Sequence, residues 1–157
     1  MFNIVLYKPE IPHNTGAIGR TCFATGAKLH LVHPLGFSLD EKSLRRAGMD
    51  YWPQAQVAEY ANFADFLQKN PAAGTTANIF LAETGGNMTH ADAKYLPNDY
   101  IIFGNESSGL PTEIINKYKN NVVTMPMMAG GRSLNLSVAA GIVLYEALRQ
   151  NNFAGIM

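Results

Sequence analysis

One feature constrains the fold more than any other: short runs rich in Val, Ile, Leu and Phe alternate along the chain with helix-like segments. The runs fall at residues 3–7, 28–32, 56–60, 78–82, 100–103 and 121–125, the rhythm of a parallel α/β sheet flanked by helices. Helices are expected at residues 15–25, 40–47, 63–69, 111–118 and 136–150, each bounded by Gly, Pro, Asn or Ser. The polar, glycine-containing stretch 85–92 is expected to be a surface loop. No internal repeat, low-complexity tract or linker interrupts the pattern. With 157 residues, 47% apolar and 15% charged, the chain suits one domain, 1–157, with a sizeable core.

Several function classes are disfavoured at once. Twelve basic and twelve acidic side chains leave no net charge, so a polyanion would have to meet locally placed positive groups. Cys22 is the only cysteine and has no internal disulfide partner. The opening MFNIVLYKPE lacks the basic-then-apolar order of a signal peptide, so the expected location is the cytoplasm. The longest mostly apolar segment, VAAGIVLYEAL, is broken by Gly141 and Glu146, and a membrane span is not expected. Four histidines without close His/Cys spacing give a metal site almost no ligands, and none is expected. After the first strand, YKPEIPHNTGAIGRT lacks the G-x-G-x-x-G spacing of a dinucleotide site, and no G-x-x-x-x-G-K-[ST] phosphate loop occurs.

Three segments carry chemistry. In the first, Asn14 can cap the following helix, while Gly16 and Gly19 inside it each cost about 1 kcal/mol relative to alanine, so a close approach on that face is expected. Arg20, four residues after Gly16, shares the glycine-lined face, where a sugar-phosphate backbone or a second helix can come near. It reads equally as a surface ion-pair partner. In the second segment, YIIFGNESSGLP, a buried strand ends at Gly104. Gly104 and Gly109 permit close backbone approach to a nucleoside beyond the carboxyl end of the strand. Glu106 is then either a working carboxylate or a cap for a loop amide. The third segment, VVTMPMMAGGRSLNLSVAAGIVLYEALRQ, gathers Arg132, Ser133 and Asn135 ahead of an amphipathic helix that Asn135 or Ser137 can cap. Met125, Met127 and Met128 read as gap-filling residues, and Tyr145 as half-buried with its hydroxyl free. Lys42, Arg45 and Arg46 would line one helix face, either solvated or tracking phosphates.

Taken in order, NTGAIGRT, FGNESSGLP and MPMMAGGRSLNLSVAAGIVLYE resemble the three motifs of the SPOUT superfamily of S-adenosylmethionine-dependent RNA methyltransferases. The opening NIVLYKPEIPHNTG and the segment LRRAGMDYW are similar in particular to the bacterial branch that methylates the ribose 2′-hydroxyl of the tRNA wobble nucleotide, cytidine or modified uridine. The resemblance implies a C-terminal deep trefoil knot, a homodimer joined partly through the last helix, and tRNA as substrate. It implies an S-adenosylmethionine pocket lined by Ala82, Gly104, Met125, Ser133 and Leu134. It points to Arg20 as the principal catalytic group, with Asn14, Glu106 and Asn135 fixing the motif loops and substrate ribose, and Tyr145 aligning the nucleotide. Arg45, Arg46 and Arg132 would contact RNA. Another tRNA or rRNA position, or a non-catalytic RNA-binding module, are the alternatives. Many close members of that branch carry arginine where this chain has Ser108, and some carry a basic residue where it reads NNFAGIM.

Overall fold

A computed structural model describes residues 1–40 and 51–156. Seven strands form one sheet: β1 (Asn3–Tyr7), β2 (Lys28–Val32), β3 (Val57–Tyr60), β4 (Ile79–Ala82), β5 (Met88–Thr89), β6 (Tyr100–Phe103) and β7 (Val122–Thr124). Every pairing is parallel, in the order β3-β2-β1-β6-β4-β7-β5. The helices are α1 (Pro12–Thr25), α2 (Phe63–Lys69), α3 (Thr112–Lys117) and α4 (Leu136–Gln150). The expected helix at 40–47 falls, apart from Asp40, outside the described residues. β5 was not anticipated: it is a two-residue strand within the expected surface loop, paired with the edge of β7.

The strands are apolar on both faces because both faces are covered. Ile4, Leu6, Leu29, Leu31, Phe80, Ile101 and Phe103 pack under α1 and α4. Val5, Val32, Ile79, Leu81, Ile102 and Val122 face the opposite layer, with Phe66 of α2 and Ile114 of α3. Ile4, Leu6, Leu29, Leu31, Ile101 and Ile102 have no exposed surface, and burying each such side chain contributes about 1.5–3 kcal/mol. α1 and α4 also pack on each other, through Ile18 and Cys22 on one side and Ala140, Val143, Leu144 and Ala147 on the other. Among the described residues no helix is long and apolar enough to cross a membrane.

The start of α1 differs from expectation. Ile11 occupies the cap position and Pro12 the first turn, where its missing N–H costs nothing, so the helix begins three residues early. Asn14 is therefore a buried residue inside the first turn and not its cap. The face bearing Gly16 and Gly19 is filled by the chain itself. Tyr51 donates its hydroxyl to the Gly16 carbonyl, and a Cβ at Gly19 would lie 2.9 Å from the Trp52 ring. No room is left there for a sugar-phosphate backbone or a second helix.

Candidate functional site

β1, β4, β6 and β7 all run in one direction, so their carboxyl ends deliver four connecting segments to the same edge of the sheet. There the chain encloses a cavity of about 510 Å³. Its wall takes Asn14 from α1, Ala82, Glu83 and Thr84 after β4, residues 103–109 after β6, and Thr124, Met125 and residues 133–136 after β7. Ala82, Gly104, Met125, Ser133 and Leu134 all lie in this wall, as do Asn14, Glu106 and Asn135.

The last three form one continuous polar chain. Glu106 accepts hydrogen bonds from the amides of Glu10 at 2.8 Å and Ile11 at 3.2 Å, beside the positive end of α1. One of its oxygens also accepts from Asn14 Nδ2 at 2.9 Å. Asn14 Oδ1 in turn accepts from Asn135 Nδ2 at 2.9 Å, and Asn135 Oδ1 caps α4, taking the Ser137 amide at 2.9 Å and the Ser137 hydroxyl at 2.6 Å. Donors and acceptors alternate along this path, which fixes the orientation of both amides. Segments about 90 and 120 residues apart are thereby tied together. Between the two candidate caps of α4, Asn135 is the one used; Glu106 caps amides and holds Asn14 at once.

A second clasp reinforces the first. Glu10 accepts from the Ser107 amide at 3.1 Å and its hydroxyl at 2.5 Å, and the Asn105 side-chain oxygen holds the Ser108 amide at 2.7 Å. Gly104 owes its identity to this turn, since a Cβ there would lie 2.2 Å from the Gly109 carbonyl carbon. Gly109 has φ +67°, a left-handed conformation that glycine adopts without strain.

Arg20, Tyr145 and Arg132 are not in the cavity wall. Arg20 stands on the solvent side of α1 and pairs with no described carboxylate. Tyr145 is 51% exposed on the outer face of α4, and Arg132 is exposed in the loop before it. Arg45 and Arg46 lie outside the described residues. No group of three or more His, Cys, Asp or Glu side chains suited to a metal ion occurs among the described residues. Sequence reasoning missed Glu83, whose carboxylate accepts from the Leu110 amide at 2.6 Å; a lone acidic residue after a strand has no pattern to betray it. Tyr51 and Trp52 were also missed as the filling of the glycine face, because they lie some 35 residues along the chain from Gly16 and only folding brings them together.

The sequence matches the SpoU rRNA Methylase family over residues 1–145. The chain belongs to this family. Among relatives of the SpoU family, a tRNA (cytidine(34)-2′-O)-methyltransferase of Saccharophagus degradans is 46% identical over 156 residues, covering 99% of each chain. A solved structure concerned with the 2-OH methylation of C/U34 on tRNA is 42% identical, with a TM-score of 0.88 over 97% of each chain. An AdoMet-bound rRNA methyltransferase from Sinorhizobium meliloti is 29% identical, with a TM-score of 0.80 over 94% of this chain and 56% of that one.

Proposed function

We propose that this protein transfers a methyl group from S-adenosylmethionine to the ribose 2′-hydroxyl of nucleotide 34, a cytidine or modified uridine, in tRNA. The observation that carries this reading is the near-complete overlap, end to end, with relatives named for that reaction, joined to a cavity at the carboxyl edge of the sheet. The cavity suits the cofactor in its chemistry. Its wall is rich in small residues, and among the described residues its charged side chains are carboxylates alone, which match a cationic ligand. The cofactor supplies a methyl group already activated on a positively charged sulfur.

What remains for the protein is alignment and care of the ribose hydroxyl, a poor nucleophile while protonated. Asn14, Glu106 and Asn135 are positioning residues in this reading: their mutual bonds hold the three loops in register. Arg20 brings a guanidinium, a group of hydrogen-bond donors with no acceptor, so its part is to stabilise a developing alkoxide or orient a phosphate. Its exposure and lack of a described partner leave that charge available to RNA. Arg132, Arg45 and Arg46 extend the phosphate contacts, and Tyr145 helps to place the nucleotide.

The reading includes a homodimer. Val138, Ile142 and Tyr145 are exposed at i, i+4 and i+7, an apolar stripe along α4 that a second copy would cover. It also includes the trefoil threading of the C-terminal third, carried by family membership, and the cytoplasm as the place of action.

The test is methyl transfer from radiolabelled S-adenosylmethionine to tRNA and to an anticodon stem-loop with a 2′-deoxy nucleotide at position 34. Labelling of the first alone is expected. Equal labelling of both refutes ribose methylation at that site, and label mapped to another nucleotide moves the target. Arg20→Ala is expected to lower turnover by about 10²-fold or more while cofactor affinity stays within about twofold. Loss of cofactor binding would make Arg20 a structural residue.

A further inference from the structure

The charged side chains of the cavity wall are of one sign. Two carboxylates, Glu83 and Glu106, line it, and among the described residues no lysine, arginine or histidine does. The two acids differ in what they already hold. Glu106 already accepts from two backbone amides and the Asn14 side chain. Glu83, at the carboxyl end of β4, is half-buried and bonded to the Leu110 amide, and none of the ion pairs among the described residues includes it. Burial pushes its carboxyl above the ordinary carboxylate range, against the pull of the neighbouring Leu110 and Thr84 amides. A carboxylate held partly out of water with no counter-ion is a costly arrangement, and a cation in the adjoining space relieves it.

We propose that Glu83 is the counter-charge for the cationic ligand of this cavity, and that it makes the site favour the positively charged methyl donor over its uncharged by-product. The inference rests on the assignment of the cavity to S-adenosylmethionine and deepens it. The donor carries a sulfonium, an ammonium and a carboxylate, a net charge of about +1 near neutral pH, whereas S-adenosylhomocysteine has lost the sulfonium charge and is neutral overall. A fixed negative charge therefore acts on the difference between the two compounds, while backbone contacts common to both do not. The consequence for turnover is that loss of the methyl group weakens the hold on what remains, which helps the by-product leave.

A purely mechanical role is the competing explanation. Glu83 packs on the turn at Gly109, where a Cβ would lie 2.8 Å from its Oε1, and its bond to Leu110 props that turn. Glu83→Gln separates the two roles, because the amide oxygen still accepts from Leu110 while the charge is gone. Calorimetric titration of full-length wild type and Glu83→Gln with each compound separately gives the answer. The variant is expected to lose about tenfold in affinity for S-adenosylmethionine and less than about twofold for S-adenosylhomocysteine. Glu83→Asp, which keeps the charge, retains the preference. Equal loss for both compounds, or no change in either, overturns the inference and leaves Glu83 a prop. Should the Gln variant fail to fold, Glu83→Thr provides a second neutral side chain for the same comparison. Wild type that binds neither compound overturns the cavity assignment and this inference with it; wild type that binds both, with an unchanged ratio in the neutral variants, overturns this inference alone.

Discussion

Two polar networks, one half-open and one sealed, sit on the same sheet and do different things. At the carboxyl edge, Glu106, Asn14 and Asn135 are bonded in series beside a cavity of about 510 Å³. On the face covered by α2, His30 of β2 is wholly buried; its Nδ1 accepts from the Tyr60 hydroxyl at 2.8 Å and its Nε2 faces Asn3 Oδ1 at 3.1 Å. Because Asn3 Nδ2 donates to the Asn98 carbonyl, its oxygen is the atom left to face His30, and the neutral Nε2–H tautomer satisfies both ring nitrogens. The rings of Tyr60, Phe66 and Tyr100 pack around the imidazole at 5.6–5.7 Å, and no part of this cluster borders the cavity. A buried, fully bonded polar side chain is thus no sign of function by itself. The open volume beside it makes the difference.

Acid should break the comparison most visibly. Burial, helped by nearby Lys28, lowers the His30 pKa from 6.5 to about 3, so the folded state keeps the ring neutral while the unfolded chain takes up a proton. The unfolded state then binds more protons between these values, and stability falls as pH drops from 6.5 towards about 3, by roughly 4–5 kcal/mol in all. Denaturant unfolding at steps of pH measures the slope, and its difference from that of His30→Gln isolates the imidazole. A wild-type slope no steeper than the variant's would mean that the histidine is solvated or already charged.

Asn14→Asp is expected to do less to global stability and far more to the site. The substitution replaces the donor that meets Glu106 Oε1 at 2.9 Å with an acceptor, setting two carboxylates against each other in a partly buried place. A loss on the order of 3 kcal/mol is expected at neutral pH, together with loss of cofactor binding as the loops part. Acidification that protonates one of the pair should partly restore both. Cofactor affinity unchanged in Asn14→Asp would show that the polar chain does not hold the cavity in shape.

The same contrast marks what could be read from the sequence. Three of the six anticipated strands coincide with their ranges and the other three lie inside theirs, one residue short at one or both ends, because apolar runs between turn residues are a local signal. Strand order was not legible: runs buried on both faces, such as Ile79–Ala82 and Tyr100–Phe103, carry no mark of their neighbours. The capping role given to Asn14 fails because Pro12 sets the helix start, a signal present in the sequence but outweighed by the preference of asparagine for caps. The residues that the resemblance assigns to the cofactor, Ala82, Gly104, Met125, Ser133 and Leu134, all fall in the cavity wall, though nothing in composition or periodicity marks them. Glu83 was invisible because what distinguishes it, the space beside it and the absence of an ion-pair partner among the described residues, exists only after folding.

The smallest effect tests the sealed network alone. Tyr60→Phe removes the hydroxyl that donates to His30 Nδ1 and leaves the aromatic packing on Phe66, at 5.2 Å, in place. A buried ring nitrogen without a donor costs about 1–2 kcal/mol, less than the Asn14 substitution because no charge is stranded. Thermal unfolding should register that loss, whereas cofactor affinity and methyl transfer at neutral pH should match wild type, since Tyr60 lies outside the cavity wall. If instead turnover falls while stability holds, the aromatic cluster is coupled to the carboxyl edge through β1 and β2, and the division between a structural network and a functional one would have to be redrawn.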